Sequence, residues 1–251
     1  MSDSENPVGF SKKVFFLYPV GVVKDISKDL IKNGFETHQI DDHEKLHPLL
    51  QKYPGSIVYI NIYEIMDEQK WEHYIRGLIA DESLSNINIG ICVYNTNLND
   101  ELMNKYLMDV GITAGFINVF TSYKKSIDSI IKVLNALEAR GKRKFIRVSP
   151  LQNDLNTYIQ TPLENTEVKG IIKDISVYCL LAEFNESCFT PNQILRRCVI
   201  KLKGVLLTCD MIVKGFLQEN PKTFILIFVH KNEETKNKVF DYIFERVQKS
   251  L

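Results

Sequence analysis

The first half of the chain alternates short apolar runs with segments whose apolar residues recur every three or four positions. That rhythm predicts strands and helices in turn, the grammar of a parallel α/β sheet. Strands are predicted over residues 14–18, 35–40, 56–62, 87–94 and 115–120. Helices are predicted over 23–33, 44–52 with Pro48 interrupting, 68–80, 99–110 and 125–140. In the last of these, Ile127, Ile130, Ile131, Leu134 and Leu137 make one apolar face at the 3.6-residue period. Five strands in this rhythm predict a doubly wound fold. The pattern then changes. Short strand-like runs at 157–160, 167–174, 178–184, 193–202, 205–214 and 223–229 are separated by polar turns, which predicts a small antiparallel β-barrel or sandwich. A final helix over 233–249 gathers Val239, Phe240, Ile243, Phe244 and Val247 on one side, a face expected to pack on the barrel.

At 251 residues the chain suits two domains of ordinary size. The expected division is a flexible tail over 1–11, an α/β domain over 12–139 and a β-rich domain over 140–251. Formal net charge is zero, but the halves differ. Residues 1–139 hold 13 Lys and Arg against 19 Asp and Glu, and residues 140–251 hold 18 against 12. A basic half fits an anionic ligand. General binding of a nucleic-acid polymer is not expected, because the excess is modest and no stripe of aromatics accompanies it. No apolar stretch approaches the roughly 20 residues needed to cross a bilayer, and the first residues are polar and acidic, so a cytoplasmic protein is expected. The five cysteines show no C-x-x-C spacing, which predicts reduced, mostly buried thiols rather than a zinc or redox site.

The candidate chemistry lies in the basic half. Arg143 and Arg147, four apart in Arg143-Lys-Phe-Ile-Arg147, can offer two planar guanidinium forks to one polyanion, both to phosphate oxygens and to a purine face. Downstream, Asp174 and Ser176 alternate in Asp174-Ile-Ser176-Val-Tyr-Cys179, so both side chains can face one side of a strand end while Ile175 faces the core. A carboxylate there can accept from guanine N–H donors, and the bland alternative is a turn that closes a hairpin. This pair of motifs resembles that of PilZ domains, R-x-x-x-R followed by [D/N]-x-S-x-x-G, with Cys179 where the family has glycine. The resemblance implies a β-barrel that binds cyclic di-GMP, with Arg143 and Arg147 on the phosphates and guanines and Asp174 and Ser176 on a guanine edge. It implies a receptor that passes a signal to a protein partner rather than an enzyme, and no cofactor. Glycine at the Cys179 position would permit a positive φ or close approach of the ligand. Cys179→Gly is therefore expected to tighten binding, and in a second reading Cys179 has abolished binding and left a scaffold.

Over residues 12–139 the chain resembles a response-regulator receiver domain, most clearly in Leu107-Met-Asp-Val-Gly-Ile-Thr-Ala-Gly-Phe-Ile-Asn118. The receiver's chemistry is missing. Phosphoryl transfer to a carboxylate needs a nucleophilic aspartate, a divalent metal and a nearby cation. Asn61 stands where the family has its aspartate, nothing acidic lies between Lys12 and Lys24, and Asn118 replaces the lysine. A pseudo-receiver that docks the partner is expected. Gly141, between this domain and the arginine motif, is the expected pivot when a ligand changes how the domains sit.

Three other signals are expected to be structural. His43-Glu-Lys-Leu-His47 matches the zinc-protease pattern H-E-x-x-H, but Pro48 follows directly and keeps the two imidazoles off one continuous helical face. Asp41 and Asp42 are expected to cap the following helix. Arg196 and Arg197, adjacent on a strand, are expected to point to opposite faces.

Overall fold

The computed structural model describes residues 11–84, 86–94, 100–119, 122–151, 157–163, 166–229 and 233–251. Chain contacts divide it between Lys144 and Phe145 into two units, the terminal Leu251 being counted with the first.

In the first unit, β1 (Lys13–Leu17) sends Phe15 and Leu17 to one face of its sheet and Val14 and Phe16 to the other, and all four are fully buried. A strand buried on both faces reads as a continuous apolar run, as strands of parallel sheets do. With β2 (Glu36–Ile40), β3 (Ile57–Asn61), β4 (Asn88–Val93) and β5 (Gly115–Asn118) it builds a parallel sheet of order β2-β1-β3-β4-β5. On one face α1 (Val22–Lys32) and α5 (Tyr123–Ala136) bring Val23, Ile26, Leu30, Ile130 and Leu134 against Val14, Phe16 and Tyr59. On the other, α2 (Leu46–Lys52), α3 (Glu68–Ala80) and the π-helical turn Lys105–Val110 that continues α4 (Asp100–Asn104) bring Leu50, Trp71, Ile75 and Tyr106 against Phe15, Val58 and Ile60. This is the doubly wound sheet the sequence predicts. The ends expected at Asn99 and Phe120 lie outside the described residues.

Two helix boundaries differ from expectation for identifiable reasons. The segment with Pro48 splits into a 3₁₀ turn, His43–Lys45, and then α2, whose first turn accommodates the proline because no N–H is needed there. Asp42 caps the 3₁₀ turn, its carboxylate accepting from the Glu44 N–H at 3.0 Å. Helix α5 stops at Ala136 instead of reaching Arg140. Glu138 takes a left-handed φ of 53°, the Ala139 N–H reaches back to the Leu134 carbonyl at 2.8 Å, and the Glu138 N–H to that of Asn135 at 3.1 Å. This is the Schellman closure, with glutamate in the place glycine usually takes.

The second unit is a closed antiparallel barrel of order β10-β11-β8-β7-β6-β9. Its strands are β6 (Tyr158–Leu163), β7 (Thr166–Ile175), β8 (Cys179–Phe184), β9 (Ile194–Leu202), β10 (Val205–Leu217) and β11 (Asn220–Val229). Strand β6 runs further than predicted because Pro162 lies beyond the stretch, Tyr158–Gln160, that pairs with β9, so one side of the strand is an edge there and tolerates a missing donor. Ile159, Leu180, Ala182, Ile200, Met211, Val213 and Leu226 fill the interior, with Phe184, Phe189 and Phe224 meeting edge to face. Helix α6 (Glu233–Gln248) packs on β10. It buries Val239, Phe240, Tyr242, Ile243 and Val247, so Tyr242 takes the deep place expected of Phe244, which is half-buried. Arg196 and Arg197 are both exposed rather than opposed. Arg197 adopts φ 52° beside the register shift between Cys209 and Met211, and its N–H is held by the Asp210 carboxylate at 3.0 Å.

Among the described residues no helix is long and apolar enough to cross a membrane. All five cysteines are free thiols, four of them buried. Burial raises the Cys198 thiol above its ordinary range and pushes that of Cys209 up to about 12, so neither forms a thiolate near neutrality.

Candidate functional site

The barrel's candidate site is made where the segment entering it meets the end of β7. Val148 and Ile175 form an isolated antiparallel bridge, each N–H donating to the other's carbonyl at 2.9 Å. Arg147 and Asp174 are diagonal neighbours across this bridge, within reach of a long side chain, and Arg147 Nη1 stands 3.8 Å from Asp174 Oδ2. Their side chains are 40% and 25% exposed, so the pair faces solvent enough to meet a ligand. A register shift between Ile172 and Asp174 marks a bulge in β7, the device that re-aims a side chain at a strand end.

Ser176 is not beside Asp174 on a shared strand face. It lies in the turn after β7, 1% exposed. Its hydroxyl accepts from the Cys179 N–H at 3.1 Å and the Tyr178 N–H at 3.3 Å, and donates to the Cys179 carbonyl at 3.0 Å. The Ser176 N–H reaches that same carbonyl at 2.8 Å. The hydroxyl is thus committed to closing the β7–β8 turn, the bland alternative for this motif.

Cys179 opens β8, pairs with Ile227 of β11 and is buried, its Sγ 3.6 Å from the Ser176 hydroxyl. It is not among the residues with positive φ. The backbone here has a conformation open to any L-residue, so cysteine in place of glycine introduces no backbone strain.

Sequence reasoning passed over two aromatic side chains of the same constellation. Phe145, inside the arginine motif, and Tyr178, inside the second motif, stack with ring centroids 5.7 Å apart and planes 18° from parallel. Their positions as the variable residues of two short patterns hid them.

Arg143 is counted with the first unit, where it is exposed. The stretch before it is fastened to that unit. The Lys12 ammonium donates to the Leu137 carbonyl at 2.8 Å, the Lys12 N–H donates to that of Ala139 at 3.1 Å, and the Arg140 guanidinium lies 4.8 Å from the centre of the Phe35 ring. Gly34, at φ 84°, lets the chain pass so closely that a Cβ there would stand 2.6 Å from the Lys144 carbonyl oxygen. At Gly141 the chain passes close to Ser11, so that a Cβ there would lie 3.1 Å from the Ser11 nitrogen.

At the C-terminal end of the parallel sheet, the usual ligand end of such folds, the first unit presents aromatics and amides. Asn61 is buried, its amide donating to the Tyr18 carbonyl at 2.9 Å while its oxygen accepts from the Tyr63 N–H at 3.1 Å. Tyr18, His43, Trp71 and Tyr74 pack together with ring centroids 5.6–6.1 Å apart. The two imidazoles of H-E-x-x-H serve different partners, His43 the Tyr18 hydroxyl at 2.8 Å and His47 the Asp81 carboxylate at 2.6 Å. Among the described residues no group of three or more potential ligands is placed to hold a metal ion.

No protein-family profile matches the chain, and no curated protein matches it. Similar solved structures include the PilZ domain of YcgR from Escherichia coli with c-di-GMP, 15% identical over 42% of this chain and 91% of that one, TM-score 0.34. The MrkH–c-di-GMP complex of K. pneumonia is 18% identical over 43% of this chain and 53% of that one, TM-score 0.34. The inhibitor of motility MotI/DgrA from Bacillus subtilis is 16% identical over 45% of this chain and 58% of that one, TM-score 0.33. The chain thus spans little more than half the length of MrkH and MotI. With TM-scores below 0.5, these likenesses add no weight to the residues themselves.

Proposed function

We propose that the chain is a receptor for cyclic di-GMP, and that it acts through a protein partner without catalysing a reaction. Arg143 and Arg147 hold the phosphates and lie against guanine faces, Asp174 accepts from the N–H edge of a guanine, and Ser176 and Cys179 form the turn that holds Asp174 in place. The observation that carries this is the Arg147–Asp174 pair at 3.8 Å, which brings the two separated motifs together at a solvent-facing strand end. A cation and a carboxylate side by side match a ligand that is anionic at its phosphates and rich in donors at its bases. The scaffold alternative depends on Cys179 spoiling the site, and the absence of a positive φ there removes the backbone part of that objection.

The ligand orders the segment 143–147, which contains the division between the units, and so shifts their arrangement in favour of one the partner reads. A ligand moves such an equilibrium only by its different affinity for the two arrangements. The segment up to Lys144 is held by the first unit, so we place the pivot at Lys144–Phe145 rather than at Gly141.

Calorimetry on the full chain and on Arg143→Ala and Arg147→Ala tests the proposal. Saturable heat in the wild type and a loss of about 10- to 150-fold in each variant is expected, the range for one charge-assisted hydrogen bond. Wild-type protein without heat or competition ends it.

A further inference from the structure

The stacked pair Phe145–Tyr178 points to a contact that neither motif contains. Tyr178 is fixed by its backbone on both sides. Its N–H donates to the Ser176 hydroxyl at 3.3 Å, and its carbonyl accepts from the Phe228 N–H of β11 at 3.0 Å. Its ring is stacked, near-parallel and offset, with the Phe145 ring, yet the residue remains 49% exposed. A half-exposed tyrosine has other ways to bury its apolar area. Here the ring lies near-parallel to a second aromatic while about half of the residue's surface stays open to solvent.

The ring's neighbours in sequence define what would meet that open surface. Phe145 precedes Arg147 by two residues, and Tyr178 follows Asp174 by four. The platform is therefore built from the two segments that supply the cation and the carboxylate. Every nucleobase has a π-face that stacks on an aromatic ring, and a ring already backed by another is held in place before the base arrives. We propose that Tyr178 is a stacking platform for one guanine of the bound dinucleotide, with Phe145 as its backing. The inference rests on the receptor function proposed above and adds a base-contacting residue to it. Stacking tolerates any base, so Tyr178 contributes affinity while Asp174 contributes selectivity.

The test uses the full chain, with Tyr178→Leu and Tyr178→Trp compared with wild type by calorimetry and by indole emission. Tyr178→Leu keeps apolar bulk without a π-face and weakens cyclic di-GMP binding about 5- to 150-fold, the measured span for one base–aromatic stack. Tyr178→Trp keeps the platform and the affinity, and its exposed indole is quenched when ligand saturates the protein. Trp71 is fully buried in the first unit and is the wild type's one tryptophan, so wild-type emission supplies the background. Unchanged affinity in Tyr178→Leu overturns the proposal. So does a Tyr178→Trp chain that binds ligand without quenching, because a merely structural stack would lose affinity on truncation but would not touch the base. If the wild type fails to bind at all, the receptor function fails first; a wild type that binds while Tyr178→Leu keeps its affinity or Tyr178→Trp binds without quenching places the fault in the platform alone.

Discussion

Replacing Ser176 by alanine separates a residue that builds the site from one that touches the ligand. The hydroxyl is buried and gives the Cys179 N–H its acceptor at 3.1 Å. The Tyr178 N–H, at a longer 3.3 Å and on a half-exposed residue, can turn to water when that acceptor is gone. The Cys179 N–H cannot, because its residue is 9% exposed. Leaving one buried donor unsatisfied costs about 1–3 kcal/mol. For a domain of roughly this size each kcal/mol lowers Tm by about 4–8 °C, so a loss near 2 kcal/mol lowers the barrel's Tm by about 8–16 °C. Thermal unfolding followed by circular dichroism measures the loss, and calorimetry well below the transition measures affinity. The expected result is a large fall in stability with a smaller, indirect fall in affinity through Asp174. An unchanged melting temperature with lost binding would refute the reasoning and return Ser176 to direct contact with the guanine.

Cys179→Gly should destabilise the barrel by about 1–2 kcal/mol through strand entropy and lost packing without improving affinity, since there is no positive φ for glycine to relieve. Tighter binding in a titration would mean that the side chain crowds the ligand. Burial works to raise the pKa of Glu36, but the His38 ring 3.8 Å away and hydrogen bonds from Lys13 and Ser11 bring it down to about 2. A carboxylate depressed in the folded state stabilises above its unfolded pKa, so the first unit should lose stability as pH falls from about 4.5 toward 2, and Glu36→Gln should flatten that loss in acid-unfolding curves. Acetyl phosphate with magnesium should leave the first unit unmodified by intact mass, because the Asn61 amide offers no nucleophile. A base-labile phosphoryl adduct on residues 12–139 would contradict this.

The alternation of strands and helices in the first half and the short runs of the second were enough to read both sheets, because burial on two faces and on one face leaves different periods. Boundaries were legible only where a local rule decided them. The end of α5 was not, since a glutamate rather than a glycine takes the left-handed position and the closure depends on backbone geometry. The Arg147–Asp174 pair was legible as two motifs, but their joining rests on the Val148–Ile175 bridge, a long-range pairing that no local pattern announces. For Ser176 the turn outweighed the strand, because two backbone donors compete for its hydroxyl. The tightness around Gly141 depends on Ser11, far away in sequence, and was invisible for the same reason.

The most direct test is a pair of calorimetric titrations of the full chain, one with cyclic di-GMP and one with cyclic di-AMP, each at low and high salt. Cyclic di-GMP should bind saturably, more weakly at high salt as ions compete for the arginine–phosphate contacts. Cyclic di-AMP, lacking guanine's amino donors toward Asp174, should bind far more weakly. No heat with cyclic di-GMP, or equal binding of the two dinucleotides, would contradict a site in which Arg147 and Asp174 read a guanine dinucleotide.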